Sequence, residues 1–301
     1  MVLAAISRQL HVNGSRNDSI NWGKCVPMNL GDFAKKLTRA PNGLWTSQVS
    51  DEVSYPREAH GLCFEVEDSS FWFQHRNAVI TRLVIRYGNG QTIFDVGGGN
   101  GCVSLALQRA GMDVVVVEPG LAGTLNALHR GIKNVAHSKL QDAGFSSNSL
   151  SNIGLFDVIE HIEDDVRFLA DVWEYQRPGA VLFITVPAFD WLWSDDDITA
   201  GHYRRYSRPA IEGKLRRCGY SILYSSYFFS FLLPILYLRR SLASKLGRRT
   251  SDLESASRED HVVSSGVARS IINRCTNYEI GRLERGKSLS FGTSCVIVAR
   301  K

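Results

Sequence analysis

The stretch "FDVGGGNG" (residues 94–101) decides the fold of this chain. Two apolar residues and an acid run into four glycines within five positions. Glycine has no Cβ and takes positive φ without strain, so such a run lets a ligand lie against the backbone. Residues 92–96 read as a strand and 101–110 as a helix, which places the turn at a helix N-terminus with free N–H groups. A second strand, "DVVVVE" (113–118), ends on Glu118. That is about 20 residues beyond the turn, where an acid accepts hydrogen bonds from both hydroxyls of a ribose. A phosphate-cradling loop would need a lysine and a Ser or Thr at its end, and "GGGNGC" has neither. A G-x-G-x-x-G dinucleotide fingerprint starting at Gly97 would need glycine where Cys102 stands. The spacing present is D-x-G-x-G-x-G, from Asp95, Gly97, Gly99 and Gly101.

Working outward, apolar residues recur at helical spacing in "FWFQHRNAVITRLVIRY" (71–87), which leads into the first strand. Beyond the second strand the pattern predicts a helix at 121–130, strands near 133–136 and at 153–158, a helix at 164–175 and a strand over "AVLFITVP" (180–187). The unbroken apolar run of that last strand marks cover on both faces. This alternation is a parallel sheet wrapped by helices, an α/β Rossmann-like architecture with its ligand site at the carboxyl ends of the strands. A helix at 207–218, a strand from near Tyr220, a helix at about 262–285 and a terminal strand "SFGTSCVIVARK" complete the pattern. Residues 1–70 read as an N-terminal extension, polar to about residue 55 with a short helix near Phe33–Leu37, and as a candidate lid or acceptor-recognition segment. The main domain spans 71–301, with a polar insertion at about 247–261.

With 301 residues, 44% of them hydrophobic and 22% charged, the chain builds one large domain and is not disordered as a whole. A net charge of +5 permits an anionic partner without requiring one. The chain lacks a dense basic stripe interleaved with stacking aromatics, so nucleic acid is not expected as a partner. Six cysteines without a CxxC pair fit free thiols in a reducing cytosol, and the N-terminus does not read as a secretory signal, so the expected location is cytoplasmic.

The turn at 94–101, Glu118 and "GLFDVIEHIEDD" (154–165) together resemble the cofactor motifs of class I S-adenosylmethionine-dependent methyltransferases, over roughly residues 71–301. The resemblance implies a seven-stranded sheet with an antiparallel last strand, and S-adenosylmethionine as cofactor. It implies that Asp95, Gly97, Gly99 and Gly101 contact the amino-acid end of the cofactor and Glu118 the ribose. Asp142, in "LQDAGF" (140–145), would then lie beside the adenine, and Asp157 and Val158 would close the floor of the site. The stretch "LWS…GHYRRYS" (192–207) is similar to a subgroup of bacterial small-molecule methyltransferases.

Where the acceptor is an alcohol, amine or acid a proton must be removed on methylation, so titratable groups near the fourth parallel strand are candidates. His161 is one and His202 another; loop-fixing roles are the alternative for both. Trp193, Arg204, Arg205 and Tyr206 read as acceptor-binding groups, or else as part of an Asp-to-Arg network that ties the loop down. Three adjacent acids, Asp195 to Asp197, diverge too much to hold a metal, and no metal site is expected. In "CFEVEDSSFWFQHRN" (63–77), Phe71, Trp72, Phe73, His75 and Arg76 read as capping the cofactor or closing over the acceptor, with Trp72 and Phe73 alternatively part of the core. The apolar run 222–238, followed by a basic flank to residue 249, is too short and interrupted to span a bilayer. It reads either as a strand and helix of the domain or as a peripheral membrane contact. The expected function is methyl transfer to a small or lipid-like acceptor, at oxygen, with a non-catalytic module of the same fold or a nicotinamide-dependent oxidoreductase as rivals.

Overall fold

A computed structural model of the chain describes residues 30–47, 64, 66–236 and 266–301. Residues 1–29, Cys63, the basic flank at 239–249 and the insertion at 247–261, on all of which expectations fell, lie outside the described residues.

Strands β1 (Thr38–Arg39) and β2 (Trp45–Thr46) precede helix α1 (Phe71–Tyr87). The alternating unit then runs β3 (Ile93–Val96), α2 (Cys102–Arg109), β4 (Val114–Glu118), α3 (Leu121–His129), β5 (Asn134–His137), β6 (Asn152–Phe156), α4 (Asp165–Tyr175) and β7 (Val181–Pro187). After it come α5 (Asp195–Ala200), α6 (Arg208–Arg217), β8 (Ser221–Phe228), α7 (Gly266–Glu284) and β9 (Ser294–Arg300). Local chemistry sets the helix starts. Ser70 caps α1 by accepting from the amide of Trp72, Asp164 caps α4 from Arg167, and Ser207 caps α6, whose last turn carries Lys214, Arg216 and Arg217.

The strands form one sheet in the order β1-β2-β5-β4-β3-β6-β7-β9-β8. From β5 to β8 it is the expected seven-stranded sheet: β9 is antiparallel to both β7 and β8, and the other neighbouring pairs in this part are parallel. The hairpin β1–β2 extends the sheet at the β5 edge, β2 pairing parallel to β5. The helix expected near Phe33–Leu37 is instead a 3-10 turn at Leu30–Asp32 followed by a bridge from Ala34 to Phe145.

Alternation along the strands divides the core. Phe94, Val115, Val117, Leu155 and Ile184 face α4 and α6, where Leu169, Val172, Ile211 and Leu215 meet them. Ile93, Val114, Phe183 and Val298 face the other way, against Val79, Leu83, Leu107 and Leu283 of α1, α2 and α7. The first half of the 222–238 run is therefore sheet: Tyr224, Ser226, Tyr227 and Phe228 are buried in β8, and no helix among the described residues is long and apolar enough to cross a membrane. Strand order reverses between β3 and β6, so the carboxyl ends of these two strands border the crevice where doubly wound sheets bind ligands.

Candidate active site

The glycine turn leaves β3 at that crevice. Gly97, Gly99 and Gly101 have φ of 72°, 53° and 74°, the left-handed region that a side chain disfavours. At Gly97 an added Cβ would stand 2.8 Å from Cγ2 of Val158, the residue that follows β6 by two, whereas at Gly99 it would meet nothing within 4 Å. The turn is thus packed beneath and open above, a backbone cradle of the kind a flat ligand needs.

Two buried carboxylates support it. Asp95 accepts a hydrogen bond from Ser104 Oγ at 2.6 Å, and burial raises its pKa to about 6 against that bond. Glu118, 5% exposed at the end of β4, accepts from the amides of Gly99 (2.8 Å) and Gly120 (2.6 Å). Burial raises its pKa to about 7 despite those donors. Cradle, ribose-reaching acid and helix N-terminus therefore fit a nucleoside cofactor. Asp142 sits half-buried in the turn after β5, its amide donating to the carbonyl of Lys139.

On the β6 side, Asp157 adopts φ of 57° and binds Arg76 Nε at 2.5 Å, while Arg76 Nη2 donates to the carbonyl of Phe156. Arg76 of α1 was only loosely placed by sequence. The structure sets it beside the cofactor turn, close enough to both Asp95 and Asp157 to stabilise their charges. A 3-10 turn over Ile159–His161 then carries Glu160 and His161. His161 meets His202 edge-to-face with ring centroids 4.6 Å apart. Burial and the neighbouring His202 lower its pKa to about 4. His202 Nδ1 lies 2.8 Å from Asp197 Oδ1. Burial alone would raise the Asp197 pKa, yet hydrogen bonds from His202 and Arg205 overcome it and hold this carboxyl well below the usual range. An ionised acceptor at Nδ1 requires the proton there, so that in the neutral ring the lone pair of His202 is on Nε2.

The acids 195–197 were read as loop, but they are the first turn of α5, fixed by a capping box between Ser194 and Asp197. Three consecutive acids suit a helix N-terminus, a signal available in the sequence. Several acceptor candidates need correction. Arg205 grips both oxygens of Asp197 at 2.8 Å. Tyr206 is 2% exposed and donates to Asp165 (2.7 Å), which also binds Lys214 and Arg204. These two residues are tied into the loop's own network, Tyr206 buried and Arg205 partly so, because an irregular loop needs its buried polar groups satisfied. His75 is likewise a core tie, bonded at 2.8 Å to Glu279, and Trp72 stacks on Phe229. Trp193 stays partly open, and Trp191 (53% exposed), Ile198 (63%) and Tyr203 add to an apolar lip on the stretch after β7.

An α/β sheet whose strand order reverses beside a glycine turn and a helix N-terminus has the form of a nucleoside-cofactor domain. Residues 72–225 match the model of a family described as methyltransferase domain, and the chain belongs to that family. Its cofactor is S-adenosylmethionine. A Mycolicibacterium smegmatis protein, named as a probable S-adenosylmethionine-dependent methyltransferase, is 23% identical over 121 residues, which are 40% of this chain and 47% of that protein. The chain thus matches about half the length of that relative. Among solved structures, the phosphoethanolamine N-methyltransferase 2 of Haemonchus contortus in complex with S-adenosylmethionine is similar over 83% of this chain and 58% of its own, at 19% identity and a TM-score of 0.51. A Thermotoga maritima S-adenosylmethionine-dependent methyltransferase covers 81% of this chain and 95% of its own, at 12% identity and the same TM-score. These two likenesses concern the fold.

Proposed function

We propose that the chain transfers a methyl group from S-adenosylmethionine to an oxygen of a small, largely apolar or lipid-like acceptor. When bound, the cofactor supplies an electrophilic methyl group for an in-line displacement. The chain's residues then have three tasks. Glu118 holds the ribose, Asp142 borders the adenine, and Asp95 with Gly97, Gly99 and Gly101 holds the amino-acid end. Asp157, locked by Arg76, closes the floor. His161 and His202 face the acceptor oxygen and take up the proton it loses, while Trp193, Arg204 and the exposed Trp191 and Ile198 receive the rest of the acceptor.

The observation that carries this reading is the His202 ring, oriented by Asp197 and set against His161 just past β6. An oxygen acceptor needs such a proton-accepting group more than a neutral amine does, since a hydroxyl is a poor nucleophile until its proton leaves. The apolar lip supports an acceptor with a hydrophobic body. The test uses methyl-labelled S-adenosylmethionine and matched pairs of long-chain alcohols, phenols, carboxylic acids and amines. Label on the oxygen compounds is expected. Label on the amines alone would refute the assignment of oxygen.

A further inference from the structure

Glu160 is fully buried, and beyond its own backbone amide neither carboxylate oxygen has a hydrogen-bond partner among the described residues. A buried carboxylate without partners is costly, and proteins resolve the cost with a proton, a cation or a metal. Two guanidiniums lie in its surroundings, but Arg76 is already paired with Asp157 and Arg205 with Asp197. Glu160 is therefore left without a guanidinium of its own. Two imidazoles are also close: one ligand-capable atom from each of Glu160, His161 and His202 falls within 4.8 Å of the others. Donors sharing one ion at bond lengths of about 2.1 Å lie about 3 to 4 Å apart, so modest side-chain rotation closes the set.

The geometry points to a site for one divalent first-row transition ion, held by Glu160, His161 and His202. Two imidazoles and one carboxylate are the donor set such ions favour over Mg²⁺ or Ca²⁺. Outer contacts are in place. His202 is turned by Asp197 as metal-bound histidines are turned by carboxylates, and His161 is hydrogen-bonded to the backbone of Ala200 and Gly201. Three protein ligands leave positions open, and an acceptor oxygen bound there would be acidified by the ion and would lose its proton to solvent, in place of transfer to the imidazoles. This rests on the reading of the cluster as the acceptor end of a methyltransferase site. It replaces the expectation of no metal, which had weighed only Asp195 to Asp197.

The test uses the full chain, stripped with a chelator and titrated separately with MnCl₂ and ZnCl₂, free Mn²⁺ being read by electron paramagnetic resonance and Zn²⁺ binding by calorimetry. Uptake of one equivalent of either ion is expected, with affinity at least about tenfold weaker in Glu160→Gln and in His202→Ala. S-adenosylhomocysteine affinity is measured on the same samples, and values within about threefold of the parent mark the variants as folded. Cofactor binding without uptake of either ion, or equal metal affinity in parent and folded variants, would overturn the site. Failure of the parent to bind S-adenosylhomocysteine would instead overturn the methyltransferase reading beneath it.

Discussion

Cofactor affinity should depend on pH through Glu118. In the cofactor-free protein burial raises its pKa to about 7, so near neutrality the side chain is half protonated. Ribose hydroxyls donating to the carboxylate favour the ionised form. Binding then expels a proton at acid pH, and affinity rises with pH until Glu118 is ionised in the free protein. With a free pKa of about 7 and a bound pKa well below 6, the dissociation constant should fall about tenfold between pH 6 and pH 8. Glu118→Gln removes this component, and its affinity at pH 8 should be weaker by roughly 10- to 100-fold through loss of charge-assisted bonds. Titrations with S-adenosylhomocysteine at pH 6, 7 and 8 measure both effects. The ligand's amine and Asp95 also titrate, but they do so in parent and variant alike, so the difference between the two slopes is the readout. Identical slopes would refute the reasoning. Stability moves in the opposite direction: a raised carboxyl pKa contributes stability present below about 4.5 and lost as pH rises through about 7. The cofactor-free protein should therefore lose roughly 1.4 kcal/mol from this group between pH 6 and pH 8, and Glu118→Gln should not.

Gly97→Ala should cost about 1–2 kcal/mol in urea denaturation from its positive φ alone, with further loss from the approach to Val158 and weakened cofactor binding. Tyr206→Phe should cost about 1 kcal/mol through Asp165 and leave cofactor affinity unchanged, as a buried structural hydroxyl would. His202→Ala should lower turnover by roughly 100-fold or more while cofactor affinity in calorimetry stays within about twofold. Trp191→Ala should raise KM for apolar acceptors without moving the melting temperature, since its side chain is half exposed.

The sheet was legible because the central strands are short, buried and mostly apolar runs and the helices between them carry a period near 3.6, so α1 and β7 fall within a residue of their expected bounds. The hairpin β1–β2 was not legible. Its strands have two residues each, too few for a period, and they are held by pairing to β5. The cofactor side could be read because glycine spacing and a strand-terminal acid are sequence-local signals. The acceptor side could not, because it depends on which partner each charge chooses. Arg205 and Tyr206, which read equally as acceptor-binding groups or as part of a network, turn to Asp197 and Asp165, while Glu160, an ordinary acid in "VIEHI", ends beside two histidines, one of them from a segment 42 residues away. That separation in sequence is bridged only by the return of the chain past β7, where the amide of Tyr203 donates to the carbonyl of Glu160.

A crystal structure of the protein grown with S-adenosylhomocysteine tests the central claim most directly. The account predicts the ribose hydroxyls within hydrogen-bond distance of Glu118, the amino-acid end against Gly97 and Gly99, and the sulfur directed toward His161 and His202. A ligand bound elsewhere, or one whose ribose does not reach Glu118, would contradict it.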